Sequence, residues 1–130
     1  MFVFNDGGRA ASGRKGIAGD CVARAFAIAT GMDYSTCYGL LAAANAAAGG
    51  KRSARAGVRR EVYEAMFAQH GWHWVTAPKF PGRKARCRDM PPGVVIARQA
   101  KHVVCVIDGT PHDIFDCTAK MVYGYWQKKS

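Results

Sequence analysis

The sequence predicts an α+β fold, with helices in the first half and an antiparallel β-sheet in the second. Apolar residues recur at helical spacing in three segments before residue 70, whereas later segments are short, β-branched and separated by Pro, Gly or Asp. Asp108 and Gly109 stand between two of these later segments as a typical hairpin signal. We therefore expect a helical layer on one face of the sheet. The chain has 130 residues, 49% of them hydrophobic, which suffices for one core, so residues 1–130 are interpreted as one domain.

The three predicted helices follow a short strand and a Gly-rich loop. "MFVF" has the composition of a strand, and "NDGGRAASGRKGIAG" shows no periodicity and is typical of a long loop. The first helix is predicted over residues 20–30, because Asp20 is a favourable N-cap and Gly31 a favourable stop. The second follows Asp33 through "YSTCYGLLAAANAAA", and the third covers residues 58–69.

Five strands are predicted in the second half. The segments are "WHWVTA", "GVVIAR", "HVVCVID", "HDIF" and "KMVYGYW". Because "VVCVI" is apolar at every position, we expect it to form a central strand that is buried on both faces.

The charge of the chain is strongly positive and unevenly distributed. The formal net charge is +10, and the stretches "KRSARAGVRR" at 51–60 and "KFPGRKARCR" at 79–88 contain five basic residues each. Such clusters favour an acidic partner, either an acidic protein or a nucleic acid. The residues predicted to bind a substrate or partner are Arg52, Arg55, Arg59, Arg60, Arg83, Lys84 and Arg86.

Several classes of protein are disfavoured by the sequence. No segment reaches the roughly 18 apolar residues of a membrane span, and the first residues lack the pattern of a secretory leader, so a cytoplasmic location is expected. The five cysteines are irregularly spaced, which favours free thiols over a disulfide framework. They include no CxxC pair, so neither a metal site nor a cofactor is predicted.

A cysteine stands at the start of the first predicted helix, in "AGDCVARA". The first turn of a helix has backbone N–H groups without intrahelical partners and a partial positive charge. Both favour a thiolate and can hold a developing oxyanion. Cys21 is therefore the candidate nucleophile. Asp20 and Arg24 lie beside it, and Arg24 is expected to be exposed and to add its charge weakly.

A cysteine nucleophile needs an imidazole base and a group that orients the imidazole. His102 begins the most apolar predicted strand and is the candidate base. A carboxylate on the next strand would orient it, and the length of the hairpin loop decides which one. A two-residue loop puts Asp113 on the face of His102, whereas a three-residue loop with a bulge brings Asp116 there instead.

The candidate residues belong to the segments "GDCVARAFAIATG" and "HVVCVIDGTPHDIFDCT", which precede an aromatic ending "VYGYW". This order resembles the small papain-like cysteine-peptidase proteins of phages and prophages. The resemblance implies a papain-like fold with a Cys–His–Asp triad and a protein or peptide substrate. In such relatives the orienting residue tends to end the strand after the histidine. "IFDCT" matches that pattern better than "PHDI", so the resemblance favours Asp116 over Asp113.

The sequence departs from the papain-like pattern at one point. Those peptidases usually carry a glutamine upstream of the nucleophile as a second oxyanion donor, and here no glutamine precedes Cys21, where Asn5 and Lys15 are the natural donors. We therefore predict a thiol hydrolase, either a cysteine peptidase or an acyl-transfer enzyme, that acts on an acidic or host protein. The alternative is a non-enzymatic phage-type binding or inhibitor protein whose basic loops engage nucleic acid or an acidic host protein.

Overall fold

The computed structural model describes residues 2–14, 20–50, 53–54 and 58–128. Within these residues the chain forms three α-helices and a six-stranded sheet, which confirms the α+β prediction. The elements are β1 (Val3–Phe4), α1 (Cys21–Thr30), α2 (Tyr34–Ala47), α3 (Arg60–Gln69), β2 (Trp72–Thr76), β3 (Val94–Gln99), β4 (His102–Ile107), β5 (Thr110–Asp113) and β6 (Val122–Lys128).

The sheet is mixed, so the prediction of an antiparallel sheet is wrong at one edge. The strand order is β1-β5-β4-β3-β6-β2, and the β5–β4, β4–β3, β3–β6 and β6–β2 pairs are antiparallel. Strand β1, in contrast, runs parallel to β5, with Val3 opposite His112. No local pattern signals this contact, because it joins two residues of the opening segment to a strand far along the chain.

The helices begin and end close to the predicted residues. Asp33 caps α2 by accepting the backbone N–H of Thr36 at 3.3 Å, and α1 stops at Gly31, whose φ is 75°. Helix α3 begins at Arg60, two residues later than expected. In the part of the chain that is described, none of the helices has both the length and the apolar character that crossing a membrane requires.

The β4–β5 hairpin has a two-residue loop. Ile107 pairs with Thr110, and the loop residues Asp108 and Gly109 have φ values of 50° and 81°. Positive φ at both loop residues defines a type I′ turn, whose twist matches that of the flanking strands. The two-residue alternative is therefore confirmed, and it fixes which aspartate shares a face with the candidate base.

The sheet has a hydrophobic core on each face. On the helical face, Ile96 and Val103 lie in one cluster with Phe26 and Phe67, whose rings stack at 5.1 Å. On the opposite face a second cluster contains alternate residues of β3 and β4 together with side chains from the irregular segment 77–93. Because this segment has no periodic pattern of apolar residues, the sequence predicted that only one face of the sheet is covered, by the helices.

The loop before α1 packs over the first turns of that helix. The backbone N–H of Asn5 donates to the Asp113 carbonyl at 2.9 Å, which extends the β1–β5 pairing. Gly7 has a φ of 68°, and a Cβ at this position would stand 2.9 Å from the carbonyl oxygen of Arg24. Glycine is thus required there both by the backbone conformation and by the close approach of the loop to α1.

We expect Gly7→Ala to destabilise the protein more than Gly13→Ala does. Both positions have positive φ, but an added Cβ at Gly13 meets nothing within 4 Å. Gly13→Ala should therefore cost only backbone strain of about 1 kcal/mol, while Gly7→Ala adds overpacking, for a total of about 2–3 kcal/mol. Urea-induced unfolding measures both values. Equal losses would contradict the close packing of the loop on α1.

Candidate active site

The nucleophile predicted from the sequence is the first residue of α1. Cys21 is partly exposed, while the next six residues are buried against the sheet and α2. Asp20 holds the N-cap position but makes no side-chain cap hydrogen bond, contrary to the prediction. Its side chain is instead turned into the protein, where the residue is 1% exposed.

The Asp20 carboxylate is held by three side chains behind the start of α1. Arg9 donates to it at 2.9 Å, the Tyr34 hydroxyl donates to the same carboxylate oxygen, and Arg24 pairs with the other oxygen. Arg24 was expected to be exposed, but it is 4% exposed, because the side chain crosses the interior from α1 toward β5. Asp20 and Arg24 therefore support the beginning of α1 as parts of a buried ionic network.

The candidate base is hydrogen-bonded to Asp113. The His102 Nε2–H donates to Asp113 Oδ2 at 2.5 Å, and the other carboxylate oxygen accepts the Ile114 N–H at 2.8 Å and lies 3.6 Å from Arg24. This arrangement follows from the two-residue hairpin loop, which puts the aspartate diagonally opposite His102 on the same face.

Asp116, which the papain-like resemblance favoured as the orienting residue, does not contact His102 by hydrogen bond. It is exposed and accepts hydrogen bonds from the backbone N–H, at 3.0 Å, and the hydroxyl of Thr118. The preference is corrected because β5 ends at Asp113, three residues before Asp116, so the latter belongs to the turn that follows the strand.

Asp113 and His102 shift each other's proton equilibria. Burial alone would lower the pKa of His102, but hydrogen bonds to Asp113, Cys117 and Cys21 raise that pKa to about 11. Burial would raise the pKa of Asp113, yet the hydrogen bond and charge of His102, with help from Arg24, lower it. The pair is therefore an imidazolium and a carboxylate at neutral pH. Because Nε2 is engaged by the carboxylate, Nδ1 is the ring nitrogen left for a thiol.

Two cysteines contact His102, and they differ in what they can do. Cys117 is 2% exposed, and contact with Cys87 together with burial raises the pKa of the Cys117 thiol, so it remains protonated. Its sulfur lies within 4.8 Å of the His102 and Asp113 ligand atoms, a set of donor types that also suits a metal ion. Cys21, in contrast, is partly exposed and lines an open cleft, so its sulfur can be reached from solution.

The cleft beside Cys21 has a volume of about 260 Å³ and basic walls. Among the described residues it is lined by Cys21, Val22, Val58, Arg60, Tyr63, Arg98, Gln99, Lys101, His102 and Val103. The candidate nucleophile and the candidate base thus lie together in one concave surface, as the chemistry of an active site would require.

Four residues around His102 were not predicted: Arg98, Gln99, Lys101 and Cys117. Gln99 pairs with His102 across the β3–β4 turn, and its Nε2–H donates to the Cys117 carbonyl at 3.0 Å. The segment "RQAKH" could have revealed part of this, since a two-residue turn there puts the glutamine opposite the histidine. The position of Cys117 depends on how the residues after β5 cover the second face of the sheet, which no periodicity signals.

The first basic stretch contributes one described basic residue, Arg60, to the cleft. Arg60 lines it at the start of α3 and pairs with Glu64 at 3.3 Å. Arg59 is exposed and is not among the lining residues. Arg52 and Arg55, which were predicted to bind a substrate or partner, lie outside the described residues.

The second basic stretch does not line the cleft at Cys21. Arg83 and Lys84 line a separate cleft of about 300 Å³ beside β2 and β6. Arg83 also forms a two-bond pair with Asp89, at 2.8 and 2.9 Å, and Arg86 is partly buried. These residues therefore remain candidates for a partner surface that is distinct from the candidate active site.

The pKa shifts predict that Asp113→Asn destabilises the protein in a pH-dependent manner. The raised pKa of His102 stabilises the fold fully below about pH 6.5 and less as the pH rises toward about 11. The lowered pKa of Asp113 stabilises the fold at pH values above the ordinary pKa of an aspartate, and this stabilisation is lost as the pH falls below that range. The loss of unfolding free energy should therefore be greatest near pH 5–6, about 3 kcal/mol, and smaller at pH 9.

Chemical unfolding of the parent and the variant at several pH values measures this difference. Asp116→Asn serves as the matched control, because the same substitution there removes an exposed carboxylate that has no contact with His102. A difference between parent and Asp113→Asn that stays constant from pH 6 to pH 9 would contradict the ion pair.

The chain matches no protein-family model, no curated protein and no solved structure. The comparisons therefore leave the papain-like resemblance as an expectation. What can be said about function comes from the positions of Cys21, His102 and Asp113 and from the basic cleft next to them.

Proposed function

We propose that the protein is a thiol hydrolase or acyl-transfer enzyme that uses Cys21 as nucleophile, His102 as proton carrier and Asp113 as the residue that orients the imidazole. The observation that carries this proposal is the 2.5 Å hydrogen bond from His102 to Asp113. The same imidazole ring also contacts the partly exposed sulfur of Cys21. A thiol and a carboxylate that both contact one imidazole are the features expected of such a site.

The buried charges beside the site support an imidazolium–thiolate pair. Two buried aspartates face two buried arginines and a protonated His102, so this group contains one more positive than negative charge. A thiolate at Cys21 would balance the additional charge, and the backbone N–H groups of the first helical turn would favour it as well.

In the first step, the Cys21 sulfur attacks the carbonyl carbon of an acyl substrate, and a C–S bond forms. The carbonyl oxygen takes up negative charge, which the backbone N–H of Cys21 stabilises as a hydrogen-bond donor at the helix N-terminus. The bond from the carbonyl carbon to the leaving group then breaks, and His102 gives its proton to that group. Loss of the thiolate removes one of the interactions that raise the pKa of His102, so the ring releases its proton more readily at this stage.

In the second step, the neutral imidazole removes a proton from water or from another acceptor nucleophile, which attacks the thioester carbon. The C–S bond breaks, the acyl product leaves, and the thiolate and imidazolium are restored. Water as the acceptor gives hydrolysis, and an amine or hydroxyl gives acyl transfer. Asp113 keeps Nε2 engaged throughout, so that Nδ1 faces the sulfur in both steps.

We further infer a papain-like fold and a reducing compartment such as the cytoplasm. The order of a helix with Cys21, a strand that begins with His102 and a strand that ends with Asp113 supports the fold. Five free cysteines, two of which contact each other as thiols, support a compartment in which disulfides do not accumulate.

We expect Cys21→Ala to abolish acyl-enzyme formation and to leave the fold intact. The substitution removes the attacking sulfur from a partly exposed position, where little packing is lost. The test is incubation with p-nitrophenyl acetate, with p-nitrophenol release followed by absorbance and the acetyl group located by peptide mass. Cys117→Ala is the matched control, since it removes the other sulfur near His102 and should retain the acetyl group at Cys21. Acetylation that persists in Cys21→Ala, or loss of folding in that variant, would count against the proposal.

We expect Asp113→Asn to lower the rate of the same reaction on the order of 100-fold, whereas Asp116→Asn should stay near the parent rate. The reason is that Asp113 orients His102 and stabilises its protonated form. Among the described residues, Asp116 forms hydrogen bonds only with Thr118. The assay is single-turnover p-nitrophenol release at neutral pH. A larger loss of rate in Asp116→Asn than in Asp113→Asn would contradict this expectation and would favour Asp116 as the orienting residue, as the papain-like resemblance implied.

A further inference from the structure

We propose that the cleft at Cys21 selects an acyl substrate that carries a carboxylate close to the reacting carbonyl, as an acidic peptide does. This inference rests on the proposed function, because it names the class of substrate that the same sulfur would attack. The feature that carries it is the combination of cationic side chains on the cleft walls with the absence of a carboxylate among the described lining residues.

Arg98 is the best placed of the cations for recognising a carboxylate. It is the penultimate residue of β3, on the same side of the sheet as Ile96 of the helical-face cluster, and it lines the cleft. Its guanidinium packs over the Tyr123 ring at 5.2 Å and contacts the Tyr63 hydroxyl, so the side chain is held in position. A planar guanidinium that is already oriented suits two-bond recognition of a carboxylate.

Lys101 brings a second charge next to the base. It occupies the β3–β4 turn with a φ of 53°, immediately before His102, and is exposed at the rim of the cleft. The turn is short, so the backbone of Lys101 is held directly beside His102. An exposed lysine next to a concave site attracts anions from solution.

Arg60 also lines the cleft, from the start of α3, but it contributes less. It packs over the Trp74 ring at 4.9 Å and pairs with Glu64 at 3.3 Å, which offsets part of its charge. Arg98 and Lys101 are therefore the lining cations on which the proposed selection of a carboxylate rests. The cleft, at about 260 Å³, is small enough that a bound carboxylate would lie near these groups.

The cleft charge can be measured with two alkylating reagents that differ only in charge at one end. Iodoacetate carries a carboxylate and iodoacetamide a neutral amide, and both react with a thiolate by displacement of iodide. The ratio of their rate constants at Cys21, read from peptide masses, reports the preference for an anion and cancels changes in the reactivity of the sulfur. We compare this ratio in the parent protein and in the Arg98→Gln/Lys101→Asn double variant.

We expect the ratio of iodoacetate to iodoacetamide rates to fall roughly five- to tenfold in the double variant. Asparagine replaces Lys101 because it tolerates positive φ. If loss of Arg98 prevents folding, Lys101→Asn alone is expected to lower the ratio about two- to threefold. Arg88→Gln is the matched control, since it removes the same kind of charge from an exposed site beside Gly109, at the other end of β4, and should leave the ratio unchanged.

The possible outcomes distinguish the two proposals. A Cys21 that reacts with neither reagent would overturn the proposed function, and the substrate class with it. A Cys21 that reacts with both, at a ratio that the Arg98 and Lys101 substitutions do not lower, would overturn only the substrate class. If the rate ratio fell by the same factor in Arg88→Gln, the preference for iodoacetate would be due to the net charge of the protein, which would also overturn the proposed substrate class. A fall confined to the cleft variants supports the proposal, as would faster single-turnover acylation by mono-p-nitrophenyl glutarate than by p-nitrophenyl valerate, which lacks the terminal carboxylate.

Discussion

The buried ionic network behind the start of α1 is the interaction on which the site depends. The Asp20 carboxylate accepts hydrogen bonds from Arg9, Arg24 and the Tyr34 hydroxyl. Arg24 also forms an ion pair with Asp113, which is hydrogen-bonded to the imidazole of the candidate base. One connected set of charges thereby joins the N-terminal loop, two helices and the central strands. Buried ion pairs add little net stability when they are intact, but losing one member leaves an uncompensated charge in the interior. The network therefore favours one arrangement of these elements over its alternatives.

The same network holds the candidate catalytic residues in position. Asp113 is restrained from two directions, because its carboxylate meets Arg24 and the Ile114 N–H in addition to His102. Its main-chain carbonyl also accepts the Asn5 N–H from the N-terminal segment. Preorganisation of this kind lowers the cost of reaching a reactive geometry, since little has to move when a substrate arrives. The proposed chemistry thus relies on the interior as much as on the surface of the cleft.

Local patterns in the sequence predict much of this architecture, and the errors share one cause. Helix positions, the hairpin at Asp108 and the candidates Cys21 and His102 all follow from spacing and turn chemistry within a few residues. The choice between Asp113 and Asp116 depends on the length of the hairpin loop at Asp108. The sequence there is compatible with both a two-residue and a three-residue loop. The burial of Arg24 could not be predicted, because an arginine in a first turn is ordinarily solvated and becomes buried only when a distant carboxylate receives it. The second core over segment 77–93 and the parallel β1–β5 edge are likewise contacts between residues distant in sequence.

The parallel pairing of β1 with β5 has a consequence for how the molecule comes into existence. Val3 finds its partner, His112, only after the ribosome has produced the strands that contain His102 and Asp113. A nascent chain thus contains Cys21 before His102, Asp113 and the strand edge that anchors the N-terminal loop have been synthesised. Strand pairing across such a long sequence separation is slow, because a long loop must close before the strands can pair. Delayed assembly would keep Cys21 apart from its proposed base until both strands are in place.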